Sequence, residues 1–60
     1  MMLVSFMLVE GGRTWINPDH VVEVRPFGDR ASFVHLGGDH IVTVEGDELT
    51  VVSRLAEDYV

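Results

Sequence analysis

The chain has 60 residues, a formal net charge of −6 and no cysteine, and 47% of its residues are hydrophobic. A chain this short forms one domain, residues 1–60, and buries only about 60% of the surface it exposes when unfolded. Without cysteine it is not a disulfide-stapled scaffold, and structural zinc would need histidine and carboxylate ligands. One core of this size contributes only about 3–5 kcal/mol to folding stability. We therefore expect the chain to form a homo-oligomer that buries apolar side chains which the single domain leaves exposed.

The negative charge is concentrated in the C-terminal third of the sequence. From Asp39 onward there are six acidic residues, and Arg54 is the only lysine or arginine. Nucleic-acid surfaces normally carry a basic patch, because neutralising phosphates supplies most of the affinity. We therefore do not expect DNA or RNA as a partner. The negative charge is consistent with an acidic surface that faces another protein, or with a charge that simply keeps the chain in solution.

The N-terminal run is apolar on both of its faces. Residues 2–9 read as a strand that places Met2, Val4, Phe6 and Leu8 on one face and Leu3, Ser5, Met7 and Val9 on the other. Such a strand is buried on both sides, by the chain's own helix and by another subunit. The candidate oligomer interface is Val4, Phe6, Leu8, Leu3 and Met7. With no basic residues before it and about half the length of a membrane span, the run predicts a cytoplasmic protein without membrane insertion.

Two turn signals follow this strand. Paired glycines in Glu10-Gly11-Gly12-Arg13 predict a hairpin, with Thr14–Ile16 as its short return strand. Pro18 drives Asn17 out of the helical region, so Asn17-Pro18-Asp19 predicts a corner that brings Trp15 and His20 close together. The third strand, His20–Arg25, should end at Pro26.

The rest of the chain predicts two more strands and a helix. Turns at 27–30 and 37–39 separate strands at 31–36 and 40–44, which completes an antiparallel meander. Asp47 suits a helix N-cap, and an apolar stripe at helical spacing predicts a helix over about 47–59 (Leu49, Val52, Leu55, Ala56, Tyr59). Because valine is a weak helix former, a strand at 50–53 is the alternative. The fold class is mainly β (α+β): a small antiparallel sheet or partly open barrel of four to five strands plus one C-terminal helix.

The histidines suggest a metal site. His35 and His40 flank the Gly37-Gly38-Asp39 turn and would face each other across a two-glycine hairpin, with Asp39, Asp19 or His20 as further ligands. Surface histidines are the commoner explanation, and the spacing matches no zinc motif, so we expect no metal and no other cofactor. The serines lie in no nucleophile-elbow pattern, and the chain is short for enclosing a pocket. The sequence therefore does not indicate an enzyme.

Trp15 is the residue best suited to recognition, because tryptophan and arginine dominate interface hot spots. The candidate binding residues are Trp15, Asn17, Asp19, His20, Arg13 and Arg25. The alternative is that Trp15 caps the core beside Pro18 and Phe27.

Several short motifs carry a family resemblance. They are the apolar first strand, the Gly11-Gly12 turn, the corner 16–22, the strands 34–37 and 41–44, and the C-terminal helix. This pattern resembles the small flagellar FlbD family, also called the swarming-motility SwrD type. The resemblance implies a cytoplasmic, non-enzymatic protein that acts through protein contacts in flagellar function. The chain departs from it in its acidity, its lack of lysine and its paired-glycine turns.

We therefore predict a non-catalytic, homo-oligomeric protein-interaction module or regulator with a flagellar link. Its partners would be itself and another protein. One alternative is a mobile-element-encoded inhibitor that sequesters a host protein or a small anionic ligand at a subunit interface. The other is a histidine-based metal-binding protein.

Overall fold

The computed structural model describes residues 3–57, which form five strands and one helix. The elements are β1 (Val4–Met7), β2 (Arg13–Ile16), a short 3-10 turn (Pro18–His20), β3 (Glu23–Phe27), β4 (Ala31–His35), β5 (Ile41–Glu45) and α1 (Glu48–Ala56). This confirms the small α+β fold that the sequence predicts. The predictions for Met2 and Tyr59 lie outside the described residues.

The five strands follow one another in two connected antiparallel sheets. One sheet pairs β1 with β2, and the other has the order β3-β4-β5. A bridge between Leu8 and Val44 links the sheets, and the Val9 N–H donates to the Thr43 carbonyl at 3.1 Å. The strand order is therefore β2-β1-β5-β4-β3, an open arrangement with β2 and β3 at its edges.

A single core fills the space between the inner strand faces and α1. Its buried apolar members come from β1, β2, β4, β5 and the helix (Val4, Phe6, Ile16, Val34, Val44, Val51, Leu55). The two faces of β1 divide as the sequence predicts, but the chain itself buries only the face of Val4 and Phe6, and Leu3 and Met7 on the other face are exposed. The one buried polar side chain among the described residues is Ser32, whose hydroxyl donates to the Gly46 carbonyl at 2.9 Å.

Pro26 does not end β3, contrary to the sequence prediction. The strand runs through Phe27, and Pro26 pairs with Ser32 of β4. Because β3 is an edge strand, no further strand requires the N–H that proline lacks, so the residue is tolerated there.

The helix begins where the sequence predicts but buries a different face. The Asp47 side chain accepts the Thr50 N–H at 2.7 Å, and these hydrogen bonds to Thr50 lower the pKa of the carboxyl below its usual value. The alternative strand at 50–53 is wrong. Of the predicted stripe Leu55 is buried, whereas Leu49 is 78% exposed, and Val51, which is outside the stripe, is buried instead.

The reason for this rotation lies in the turn before the helix. Gly46 has φ +114°, and a Cβ built there would lie 3.5 Å from Val51 Cγ2. The chain therefore enters α1 with Val51 against Gly46, and Leu55, one turn later, follows on the same face. A shallow apolar groove of about 230 Å³ lies between α1, the corner and β3. Its lining residues are Pro18, Val21, Val24, Val52, Leu55 and Ala56.

Candidate functional site

Trp15 lies on the outer face of the β1–β2 hairpin, pointing away from the core. It pairs with Ser5 across the strands, which places Leu3 and Met7 as its diagonal neighbours on the same face. Diagonal neighbours are within reach of an aromatic side chain. Trp15 is 59% exposed, and Leu3, Met7 and Val9 are each about half exposed. We call the three residues on this face (Leu3, Met7, Trp15) the hairpin patch, whereas Val9 lies in the turn that follows β1.

The structure separates the six predicted binding residues. Arg13 shares the outer face of β2 with Trp15 and pairs with Met7. Arg25 lies on β3, at the opposite edge of the strand order, and its Nε is 3.0 Å from Glu23 Oε2. A working surface that combines Trp15 with Arg25 is therefore not formed by neighbouring strands.

The other three predicted residues form the corner. The Asn17 side chain accepts the Asp19 N–H at 2.9 Å, and its own backbone is extended, as the following Pro18 requires. His20 ends the 3-10 turn and is exposed. The corner is thus built by an Asx turn, and this local structure accounts for the role of Asn17.

Trp15 does not cap the core, so that alternative is wrong. Its exposed fraction is among the largest of the apolar residues, and Phe27 instead contacts Phe33, with ring centroids 4.8 Å apart. Arg54 of α1 covers the ring of the buried Phe6, with its guanidinium carbon 4.7 Å from the ring centroid. An arginine from the helix, and not the tryptophan, closes the core at that point.

The predicted interface residues of the first strand divide between two faces. Val4 and Phe6 are buried in the chain's own core, and Leu8 packs partly buried against it. Leu3 and Met7 face outward and remain available to a second molecule. The sequence predicts Trp15 and the first strand as two separate contact surfaces. The pairing of Trp15 with Ser5 places Trp15, Leu3 and Met7 on one surface.

His35 and His40 do not face each other. The β4–β5 register pairs His35 with Ile41, and the Leu36 N–H donates to the His40 carbonyl at 2.9 Å. His40 is therefore opposite Leu36, one position along, which turns it to the other face of the hairpin. Within residues 3–57, no three histidine, cysteine or carboxylate side chains are grouped as a metal site would need.

A second feature lies on the outer face of the β3-β4-β5 sheet. It is an open depression of about 350 Å³, which we call the sheet depression (Glu23, Arg25, Phe33, His35, Ile41). Glu23 lies between a guanidinium and an imidazole, because Oε2 is 3.0 Å from Arg25 Nε and Oε1 is 4.0 Å from His35 Nδ1. The other ring nitrogen, Nε2, lies 2.8 Å from the Gly38 carbonyl oxygen. The sequence singled out Arg25 and His35 separately, and only the register brings them to one site.

Comparison with protein-family models, with curated proteins and with solved structures finds no match for this chain. None of the helices described between residues 3 and 57 has the length and apolar character to cross a membrane. The fold and the surface together define a small α+β domain with an exposed aromatic face.

Proposed function

We propose that the chain is a non-catalytic interaction module that forms homo-oligomers through the hairpin patch. The observation that carries the proposal is the exposure of Trp15 between Leu3 and Met7 on one strand face. Tryptophan at the centre of an apolar patch is the commonest kind of interface hot spot. Scattered apolar residues need no explanation, but a contiguous patch with a central aromatic indicates a contact surface.

Charge favours this face for contact between two copies. The chain carries −6 overall, so most surfaces of two identical molecules repel each other. Among the paired residues on the outer face of the hairpin, Arg13 is the one charged side chain (Ser5, Met7, Arg13, Trp15). Two copies that meet there bury apolar area at a face of the hairpin whose paired residues are not acidic.

The small core supports the same proposal. Only seven apolar residues of the described chain are buried, and a core of this size contributes about 3–5 kcal/mol at most. Covering the hairpin patch would add buried apolar area at about 25 cal/mol per Å². The resemblance to the FlbD family supports the wider role, a regulator that works through protein contacts in motility.

Sedimentation velocity and tryptophan emission test the proposal. Trp15 is the only tryptophan in the chain, so its emission reports on the patch directly. Across the micromolar range we expect the sedimentation coefficient to rise while the emission moves to shorter wavelength. Trp15→Ala should sediment as a monomer at concentrations where the parent chain is associated.

Leu49→Ala is the matched control, because Leu49 is a more exposed apolar residue on α1, outside the patch. It should associate as the parent chain does. A parent chain that stays monomeric throughout the range would contradict the proposal. So would a Trp15→Ala variant that associates as strongly as the parent.

A further inference from the structure

The backbone of β2 turns hydrogen-bonding groups toward the outer edge of its sheet. The Leu8 N–H donates to the Gly12 carbonyl at 2.9 Å, and this bond fixes the phase of the ladder between β1 and β2. The pattern repeats every second residue in an antiparallel ladder, so the N–H and C=O groups of Thr14 point at β1. The N–H and C=O groups of Arg13 and Trp15 therefore point away from β1. Within residues 3–57, β1 is the one strand that pairs with β2, so these groups lie along the edge.

The two edges of the strand order differ in what they offer to another strand. At the β3 edge Pro26 lacks an N–H, and Glu23 and Arg25 add charged side chains. β2 contains no proline and no acidic residue (Arg13, Thr14, Trp15, Ile16). Exposed edges pair with strands of other chains unless proline, charge or a covering segment prevents it. β2 is therefore the edge better suited to accept a strand.

The sequence of β2 is complementary to itself. When two copies of β2 run antiparallel about a twofold axis at Thr14, Arg13 of each copy lies opposite Trp15 of the other. Each such pair exchanges two backbone hydrogen bonds, so the two pairs give four. Opposite residues also share a sheet face, and both Arg13 and Trp15 are exposed on the outer face. In this register the guanidinium of one copy lies beside the indole of the other, where a cation–π contact can form.

We infer that the chain dimerises by antiparallel pairing of β2 with β2 of a second copy, about a twofold axis at Thr14. This inference rests on the proposed self-association and gives its geometry, with the two hairpin patches side by side on one face. A register centred on Trp15 would instead pair Arg13 with Asn17. The Asn17 carbonyl already accepts the His20 N–H at 2.9 Å, which disfavours that register.

Two properties of the edge favour a second copy as the occupant. The chain carries −6 overall, and β2 brings no carboxylate to the junction, so the acidic side chains of two copies do not have to meet there. The pairing also uses the β2 edge of each copy once. It therefore closes as an isologous dimer and does not continue into a filament.

Amide hydrogen exchange of the parent chain, followed by NMR over a series of protein concentrations, tests the inference. The Arg13 and Trp15 amides point away from β1, so pairing with a second copy protects them and the monomer does not. Where about nine-tenths of the chain is associated, both amides should exchange about tenfold more slowly than in the dilute chain, because exchange then requires dissociation. The Leu49 amide, in the exposed first turn of α1, is the reference and should exchange at one rate throughout.

Two substitutions at Arg13 separate the backbone contribution from that of the side chain. Both remove the guanidinium, but Arg13→Ala keeps the outward N–H and Arg13→Pro does not. In sedimentation velocity, Arg13→Ala should associate about tenfold more weakly than the parent chain, because the cation–π contacts are lost. Arg13→Pro should be weaker by about a further thirtyfold, because each dimer also loses two hydrogen bonds. Circular dichroism of the dilute variants checks that each one folds, and the exchange experiment on the parent chain requires no variant.

The outcomes distinguish this inference from the proposed function. If the parent chain associates while exchange at Arg13 and Trp15 does not change, the β2 pairing is overturned and self-association through the hairpin patch stands. Equal dissociation constants for the two Arg13 variants would have the same meaning. A parent chain that sediments as a monomer throughout the micromolar range would contradict both proposals.

Discussion

Ser32→Ala tests how the turn before the helix is held. The Ser32 hydroxyl is fully buried and donates to the Gly46 carbonyl at 2.9 Å. The Gly46 N–H donates in turn to the Arg30 carbonyl at 2.7 Å. These two bonds fix Gly46 to the start of β4, just before the N-cap of α1. The alanine variant keeps the backbone bond and removes only the one from the side chain.

The expected loss follows from what the substitution leaves behind. The carbonyl of the half-buried Gly46 loses its donor, and leaving a buried acceptor unpaired costs about 1–3 kcal/mol, more than the net value of the bond itself. Alanine fills nearly the same volume, so little cavity term is added. Since a 60-residue domain loses about 4–8 °C in Tm per kcal/mol, we expect Tm to fall by roughly 4–24 °C.

Thermal and urea unfolding followed by far-ultraviolet circular dichroism measure this loss. Both variants should be compared at one protein concentration, because association contributes to Tm. Ser53→Ala is the matched control, since Ser53 is an exposed serine in the middle of α1. It should be neutral or slightly stabilising, because alanine is the best helix former. If Ser32→Ala unfolds within about 0.5 kcal/mol of the parent chain, the hydrogen bond to Gly46 does not stabilise the fold and the reasoning is wrong.

Two further predictions concern α1. The pKa of Asp47 is lowered by its hydrogen bonds to Thr50, so its contribution to stability is complete above the usual value of 3.8 and is lost as the pH falls through the lowered pKa. In Asp47→Asn the asparagine caps the helix without titrating. The parent chain should have the higher Tm at neutral pH, and this difference in Tm should shrink below about pH 4. A difference that stays constant with pH would contradict the prediction. Arg54→Gln removes the exposed cation over Phe6 and should lower the free energy of unfolding by about 0.5–1 kcal/mol in urea titrations. Arg30→Gln, an exposed turn residue, is its control, and equal losses in the two variants would exclude a specific contact with the ring.

The sequence predicts the parts of the fold that depend on local rules. Alternation along β1 places Val4 and Phe6 on one face and Leu3 and Met7 on the other, and the structure has the same division, with the Val4–Phe6 face buried in the chain's own core. Asp47 is the N-cap because its carboxylate can accept a free N–H of the first helical turn. Asn17 starts a turn because a proline follows it.

The sequence fails where the answer depends on packing between segments. Leu49 and Val51 both fit a helical stripe, and the contact of Val51 with Gly46 decides between them. Proline usually ends a strand, but Pro26 lies at an edge where its missing N–H is not needed.

The same limit applies to the candidate sites. The sequence predicts that His40 faces His35 across the hairpin, but His40 is opposite Leu36. The loop conformation fixes the β4–β5 register, and a shift of one residue moves a side chain to the other face of the sheet. The hairpin patch depends on which β1 residue pairs with Trp15, and the sheet depression on which β4 residue pairs with Glu23. Alternation assigns residues to faces within a strand, but it does not align one strand with the next.

The proline in β3 also affects how molecules of this chain can join edge to edge. Fibres that grow by strand addition need two pairing edges on every molecule, one to dock onto the chain below and one to receive the chain above. In residues 3–57 one edge is β2, and the other is β3, where Pro26 removes a donor and Glu23 and Arg25 add charge. A docking strand therefore meets an interrupted ladder on the β3 side. Every β2-to-β3 junction of such a fibre contains this interrupted ladder, which protects this strand-rich, apolar chain from runaway polymerisation.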